Sequence, residues 1–251
     1  MRYPFGWPLV RLDVTGSTMD DALALARHGA GHGTVVVAGL QTAGRGRADR
    51  RWETPPGTAL LMSVILRPNL PMAALSPLSM LAALAVREIA IACGVADDDI
   101  RIKWPNDVLI QGKKVSGILT RVHHLVPGEL PVVVLGIGLN VTVSPASLPA
   151  TGTSLSQNTG ATLDVDAVRE MLLHRLDLAV SSLITGTLDP AMAVLDRVLA
   201  YRGEVVDLQD GNTVRTGILA GVDRSGALVL DVEGQRTVVV SGDLTRGPRP
   251  H

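Results

Sequence analysis

Aromatic residues are almost missing from this chain of 251 residues, which has three Trp, two Tyr and one Phe. A stacking platform for single-stranded nucleic acid needs several exposed rings, and too few are present to build one. The core must be assembled from Ala, Val, Leu and Ile instead. The single cysteine, Cys93, excludes an intrachain disulfide and a structural zinc site made of several thiolates. Such usage suits a reducing compartment. Neither sign of charge is in excess, since 23 basic and 24 acidic residues give a formal net charge of −1. Nucleic-acid affinity by bulk charge needs a surplus of Lys and Arg, although a local basic patch is still allowed. No apolar run reaches the roughly 18 residues that a membrane span requires. The N-terminal stretch MRYPFGWPLVRLD has no signal-peptide pattern. A cytoplasmic, soluble protein is therefore expected.

The hydrophobic share of 46% excludes a disordered chain. The length suits one large domain, or one large and one small. Short strands are predicted over 9–14, 34–40, 58–67, 100–104, 107–110, 114–122 and 131–141, where β-branched residues cluster. Helices are predicted from Ser17 to Gly29, with Asp20 completing a capping-box-like start, and from Ser76-Pro77 to Gly94. Two more are predicted over 165–184 and 190–200. Beyond residue 201 the character changes. Four β runs are separated by Asp210-Gly211, Ser225-Gly226 and Glu233-Gly234, a spacing that suggests a small barrel. Residues 1–200 and 201–251 are thus read as two domains.

Three segments carry chemistry. In Gly44-Arg45-Gly46-Arg47-Ala48-Asp49-Arg50-Arg51-Trp52, arginines crowd a loop interrupted by glycines. Glycine lets backbone approach an anion, and guanidinium gives forked, permanently charged donors to phosphate. A mobile solvated loop is the competing reading. Lys103-Trp104-Pro105-Asn106-Asp107 turns the corner between two strands, where rigid scaffolding often holds reactive groups, or is an ordinary surface turn. Gly136-Ile137-Gly138-Leu139-Asn140 fails as a dinucleotide fingerprint because Val141 stands where the third glycine belongs. Asn140 there either reads a base edge or is a hydrogen-bonded core amide. His123 and His124 alternate across a strand, so no metal site is expected from them.

These segments, with Ser17-Thr18, Gln41-Thr42-Ala43-Gly44-Arg45-Gly46-Arg47 and Gly112-Lys113-Lys114-Val115-Ser116-Gly117-Ile118-Leu119, occur in an order that resembles the biotin–protein ligases, the biotin–[acetyl-CoA carboxylase] ligase family. The likeness covers nearly the whole chain. It implies an α+β fold: a mixed sheet flanked by helices, as in lipoate ligases and class II aminoacyl-tRNA synthetases, with a small C-terminal SH3-like barrel. It implies that ATP and Mg²⁺ convert biotin to biotinoyl-5′-AMP, and that a lysine of a biotin carboxyl carrier domain then takes the biotinyl group.

By the family's pattern Ser17, Thr18, Gln41 and Gly117 would bind biotin, joined by Arg45, Gly46, Arg47 and Lys103. Arg47, Arg50, Trp52 and Asn140 would hold ATP and the adenylate. Lys103, Arg47 and Arg50 would be catalytic, Lys103 bridging the carboxylate and the α-phosphate. Asp107 would act in the transfer or, rather, order the Lys103 corner. Met19 stands where the family often has Asn. Nothing ahead of Leu9 has the length of a winged helix, so no DNA binding, no repressor role and no membrane partner are expected, and the protein is expected to be a monomer or weak homodimer. Lipoate attachment and a nucleic-acid-binding module are the competing functions.

Overall fold

The structure is a computed structural model that describes residues 5–247 apart from 49, 127 and 212. Its main sheet has seven strands in the order β1-β2-β3-β7-β6-β5-β4. These are β1 (Leu9–Thr15), β2 (Val35–Gln41), β3 (Ala59–Leu66), β4 (Ile100–Lys103), β5 (Asp107–Ile110), β6 (Lys113–His123) and β7 (Val132–Asn140). Strands β1 and β2 run parallel through the crossover helix α1 (Thr18–Arg27); the remaining pairs are antiparallel. The mixed sheet expected from the sequence is present.

Strand β3 is buried along its whole length because helices cover both faces. Its alternation divides the core. Val64, Met62 and Leu60 belong to the core cluster shared with α2 (Leu78–Ala92) and α4 (Val165–Thr185), of which α4 touches β3, while Ile65 packs with Met19, Ala22 and Ala26 of α1. Helix α2 buries residues on all sides and therefore needs no polar stripe. The segment Met72–Ala92 is long and apolar enough for a membrane span, contrary to the expectation of no such run, but 72% of its most apolar window lies inside the fold. Helix α4 (Val165–Thr185) packs on α2 through Val168, Leu172, Leu176 and Val180. It starts where the Asp164 carboxylate accepts from Ala167 N at 2.7 Å and stops at left-handed Gly186. A five-residue helix, α3 (Leu155–Thr159), was not predicted; α5 (Asp189–Val198) was.

The second sheet has five antiparallel strands in the order β11-β10-β9-β8-β12. They are β8 (Val205–Asp210), β9 (Thr213–Val222), β10 (Leu228–Val232), β11 (Gln235–Val239) and β12 (Asp243–Arg246). Strand β12 was not predicted, and no pairing of β11 with β12 closes the sheet among the described residues. Its apolar face, including Leu208, Leu219, Leu230 and Leu244, joins the same core cluster as the main sheet.

One buried hydrogen bond ties the two sheets together. Trp104, 2% exposed, donates Nε1–H to the carbonyl of Gly226 at 3.0 Å, in the turn between β9 and β10. Gly226 has φ +77°, and a Cβ there would lie 3.1 Å from Cα of Pro77 at the start of α2, so the turn needs glycine. Trp104→Phe keeps most of the ring and strands that carbonyl. It should cost about 1–3 kcal/mol. For a chain of this size that is a Tm fall of about 2–4 °C per kcal/mol. Thermal melting checks it, and an unchanged Tm would deny the bond its role as the tie.

Candidate active site

A cavity of about 460 Å³ opens on the face of the main sheet that α1 covers. That volume is ordinary for a small-molecule site. It exists because α1 begins only at Thr18, and past that point β6 and β7 carry glycine on this face. Gly117 and Gly138 are register partners, and Gly136 lies two residues along. A Cβ on Gly136 would meet Sδ of Met19 at 2.8 Å; one on Gly138 would meet the Trp52 indole at 2.5 Å. On Gly117 it would meet Lys114 at 3.1 Å and Trp52 at 3.2 Å. Glycine inside a strand is costly and marks close approach. Here it clears a trough in the sheet.

One end of the cavity is polar and uncharged. Gln41 Oε1 accepts from the backbone N–H of Thr18 at 2.8 Å and from its hydroxyl at 3.0 Å. The Thr18 and Ser63 hydroxyls lie 2.8 Å apart. This chain of bonds fixes the orientation of the Gln41 amide. Ser17 occupies the N-cap position of α1, but its side chain makes no capping bond, contrary to the capping-box expectation. Its Oγ is buried without a partner. A buried hydroxyl left unpaired is costly and calls for an explanation, and a ligand atom in the adjoining cavity is one. Met19 presents a thioether on Gly136 at this end.

The other end is cationic. Residues 44–48 and 50–52 form the two sides of a narrow hairpin, with Arg45 bridged to Arg51, Gly46 N donating to Arg50 O at 2.7 Å and Trp52 N donating to Gly44 O at 3.0 Å. A Cβ on Gly44 would sit 2.3 Å from the Trp52 carbonyl, and one on Gly46 would sit 3.1 Å from that of Arg50. The glycines therefore serve first to close the hairpin on itself, where the sequence suggested approach to an anion. Trp52 lies over Gly117 and Gly138 and packs beside Ala59 and Leu61.

Four of the five cations in this part of the cavity, Arg45, Arg47, Arg50 and Lys114, have an internal carboxylate. Arg45 pairs with Asp20 at 2.6 Å. Lys114 pairs with Asp107 at 2.7 Å and stands 5.6 Å from the centre of the Trp52 ring. Arg50 donates to both oxygens of Asp243 at 3.0 Å; Arg47 donates to Gly242 O at 3.0 Å and lies 3.5 Å from Asp243. Burial pulls the Arg47 guanidinium below its usual pKa, opposed by Asp243.

Most of the residues singled out in the sequence meet on this wall. Ser17, Thr18, Gln41 and Gly117 line the uncharged part and the floor. Arg45, Gly46, Arg47, Arg50 and Trp52 line the hairpin side. Asn140 joins them, donating Nδ2 to Thr153 O at 2.9 Å while its buried Oδ1 has no partner.

Lys103 is not on the wall. It lies opposite Asp107 at the end of β4, half-buried, and desolvation holds its amine below the usual lysine pKa. The ammonium that does line the cavity is Lys114. A register shift between Val108 and Leu109 pairs Leu109 with Lys114 and Asp107 with Gly117, which brings the Lys114 side chain to the trough beside Asp107. The motif Gly112-Lys113-Lys114 contained this lysine, but no sequence pattern reveals the shift.

Residues 12–140 match the biotin/lipoate A/B protein ligase family. The biotin–[acetyl-CoA-carboxylase] ligase of Mycobacterium tuberculosis is 38% identical over 246 residues, covering 95% of this chain and 89% of that protein. The enzyme of the same description from Paracoccus denitrificans is 34% identical over 241 residues, covering 93% and 98%. The structure of the biotin protein ligase from Aquifex aeolicus in complex with biotin and ATP superposes with a TM-score of 0.78 at 28% identity, covering 95% of this chain and 99% of that one. The chain belongs to the biotin/lipoate A/B protein ligase family, on its biotin protein ligase branch.

Proposed function

We propose that the protein joins biotin to ATP as biotinoyl-5′-AMP, with release of pyrophosphate, and passes the biotinyl group to one lysine of the biotin carboxyl carrier domain of an acyl-CoA carboxylase. The observation that carries this reading is the polarity of one cavity. An uncharged hydrogen-bonding end, an apolar glycine-floored middle and a cationic end follow one another along it. A ligand with a neutral ring head and a carboxylate tail has the same sequence of polarities. The relatives' described activities point the same way.

In the first step a carboxylate oxygen attacks the α-phosphorus, and the bond to pyrophosphate breaks. Two anions must approach each other, so fixed cations beside the developing charge supply most of the help. Lys114 is placed to contact the carboxylate and the α-phosphate together. Arg47 and Arg50 take the outer phosphates. Lys103 acts at one remove, adding positive charge behind Asp107. Asn140 and Trp52 adjoin the nucleotide and the acyl chain. Mg²⁺ would be carried on the triphosphate, whose oxygens suit a hard cation that keeps several waters.

In the second step the carrier lysine's amine attacks the acyl carbon and AMP leaves. The hairpin 44–52 shields the anhydride from water until then. Residues 1–200 carry this chemistry, and 201–251 hold the hairpin from outside. With a formal charge of −1 the chain has no surplus for DNA, and no repressor role is assigned to it.

Incubation with biotin, ATP, Mg²⁺ and a biotin carboxyl carrier domain should add one biotinyl mass to one carrier lysine. A lipoyl domain with lipoate should remain unmodified. Modification of the lipoyl domain alone would move the assignment within the family, and modification of neither would reject it.

Lys114→Met should lower biotin-dependent ATP–pyrophosphate exchange by about 10²–10³-fold, the usual effect of removing one donor from a developing anion. Lys103→Met should lower it far less. The opposite ranking would return the bridging role to Lys103.

Ser17→Ala should weaken biotin binding up to about tenfold, the worth of one hydrogen bond. Since Ser17 makes no capping bond, the melting temperature should hardly change. A fall in stability with unaltered biotin affinity in titration calorimetry would show that the hydroxyl serves the helix and not the ligand.

A further inference from the structure

Asp243 reaches the hairpin from 193 residues away in sequence, from the first position of β12. The strand that carries it is firmly placed. Leu244 is 1% exposed and anchors β12 in the core, so strand alternation turns Asp243 the other way. Gly242 has φ +137°, and a Cβ there would lie 2.9 Å from Gln209 O, so glycine lets the chain lie against β8. The same residue turns its carbonyl to Arg47.

What Asp243 offers the hairpin is a small oxyanion in a fixed place. Arg50 grips both of its oxygens at 3.0 Å, and Arg47 is 3.5 Å away. Both bonds come from one guanidinium nitrogen, Nη2, and guanidinium donors make the same kind of charge-assisted bond to phosphate oxygens. The grip is loose, because the Arg50 and Asp243 side chains are 62% and 39% exposed and exposed pairs are weak. A multiply charged phosphate outbids a single carboxylate for the same two guanidiniums.

We propose that Asp243 is a positioning residue that acts as a displaceable internal anion: it holds Arg47 and Arg50 when no phosphate does, yields them to ATP, and retakes them as pyrophosphate leaves. The inference rests on the adenylation reading of the cavity. By competing for the arginines, Asp243 raises the dissociation constant of pyrophosphate. Adenylation is then less readily reversed, and the arginines are not left facing each other uncompensated. A residue that merely steadied the hairpin would have the opposite effect, since its loss would loosen phosphate binding.

Titration calorimetry with inorganic pyrophosphate tests this on the full chain. Asp243→Asn removes the charge and keeps the shape. It should bind pyrophosphate roughly threefold or more tightly than the wild type, as expected from removing one or two exposed ion pairs. Asp243→Glu should stay near the wild type. Asp243→Ser serves as a second neutral variant should the Asn protein not fold, and it should shift in the same direction. Unchanged or weaker binding in the neutral variants, or no pyrophosphate binding by the wild type, overturns the proposal. The titration needs no turnover, so the two readings fail separately. Tighter binding in Asp243→Asn without carrier biotinylation removes the ligase assignment alone, and biotinylation with unaltered pyrophosphate affinity removes the role of Asp243 alone.

Discussion

Arg45, Arg47, Arg50, Arg51 and Lys114 share the wall of one cavity, and like charges at that density repel unless they are compensated. The fold answers with carboxylates behind four of them: Asp20 from α1 behind Arg45, Asp243 from β12 behind Arg47 and Arg50, and Asp107 from β5 behind Lys114. Two separate elements, α1 and β12, therefore grip the hairpin, and a third holds the lysine beside it. The compensation is incomplete by design of position. Each pair retains substantial exposure on at least one partner, so an arriving anion exchanges one partner for another and does not have to enter a closed ionic core. The cationic end of the cavity is thus compensated while its guanidinium and ammonium groups stay open to exchange of partners.

The uncharged end obeys a different rule. There the sheet gives up side chains to make room. Gly117, Gly136 and Gly138 would each collide with Met19, Trp52 or Lys114 if they carried a Cβ. A chain with only six aromatic residues spends one of them, Trp52, as the cover of this trough. The bond from Thr18 to Gln41 closes the polar end, and Ser17 keeps an unpaired hydroxyl beside it. The same helix start that could have used Ser17 as a cap leaves its hydroxyl at the cavity, at a small loss of helix stability.

Much of the fold was legible because burial imposes periodicity. The runs that became β2, β3 and β7 are apolar on both faces, and the cap, proline and glycine around α2 mark its ends within two residues. What escaped lacked local signal. Strand β12 is four residues long with a single buried one, and α3 is five residues long. The site was legible in its parts but not in its connections. Arg47 and Arg50 stand out by type and spacing, whereas Ser17 and Gln41 come forward only through the family resemblance. The sequence points to Lys103, and the irregular register of β5 against β6, which has no local signature, brings Lys114 to the trough instead. Asp243 sits in an unremarkable Ser-Gly-Asp-Leu stretch, and its partners are most of the chain away.

The tryptophan of the KWPND corner shows how the second sheet is coupled to the cavity in physical terms. Trp104 is buried, and its Nε1–H reaches Gly226 in the second sheet, while Asp107 of the same corner holds Lys114 in the cavity. The corner therefore faces two ways at once. One side fixes the position of the five-stranded sheet, and the other fixes an ammonium. That sheet in turn presents Gly242 and Asp243 to Arg47 and Arg50. Movement of the second sheet would pull on the phosphate-side arginines through Asp243 and on the KWPND corner through Trp104 together. The two cationic contributions to the cavity, from the hairpin and from β6, thus share one mechanical reference, and it lies in a sheet that contributes no residue to the cavity wall itself.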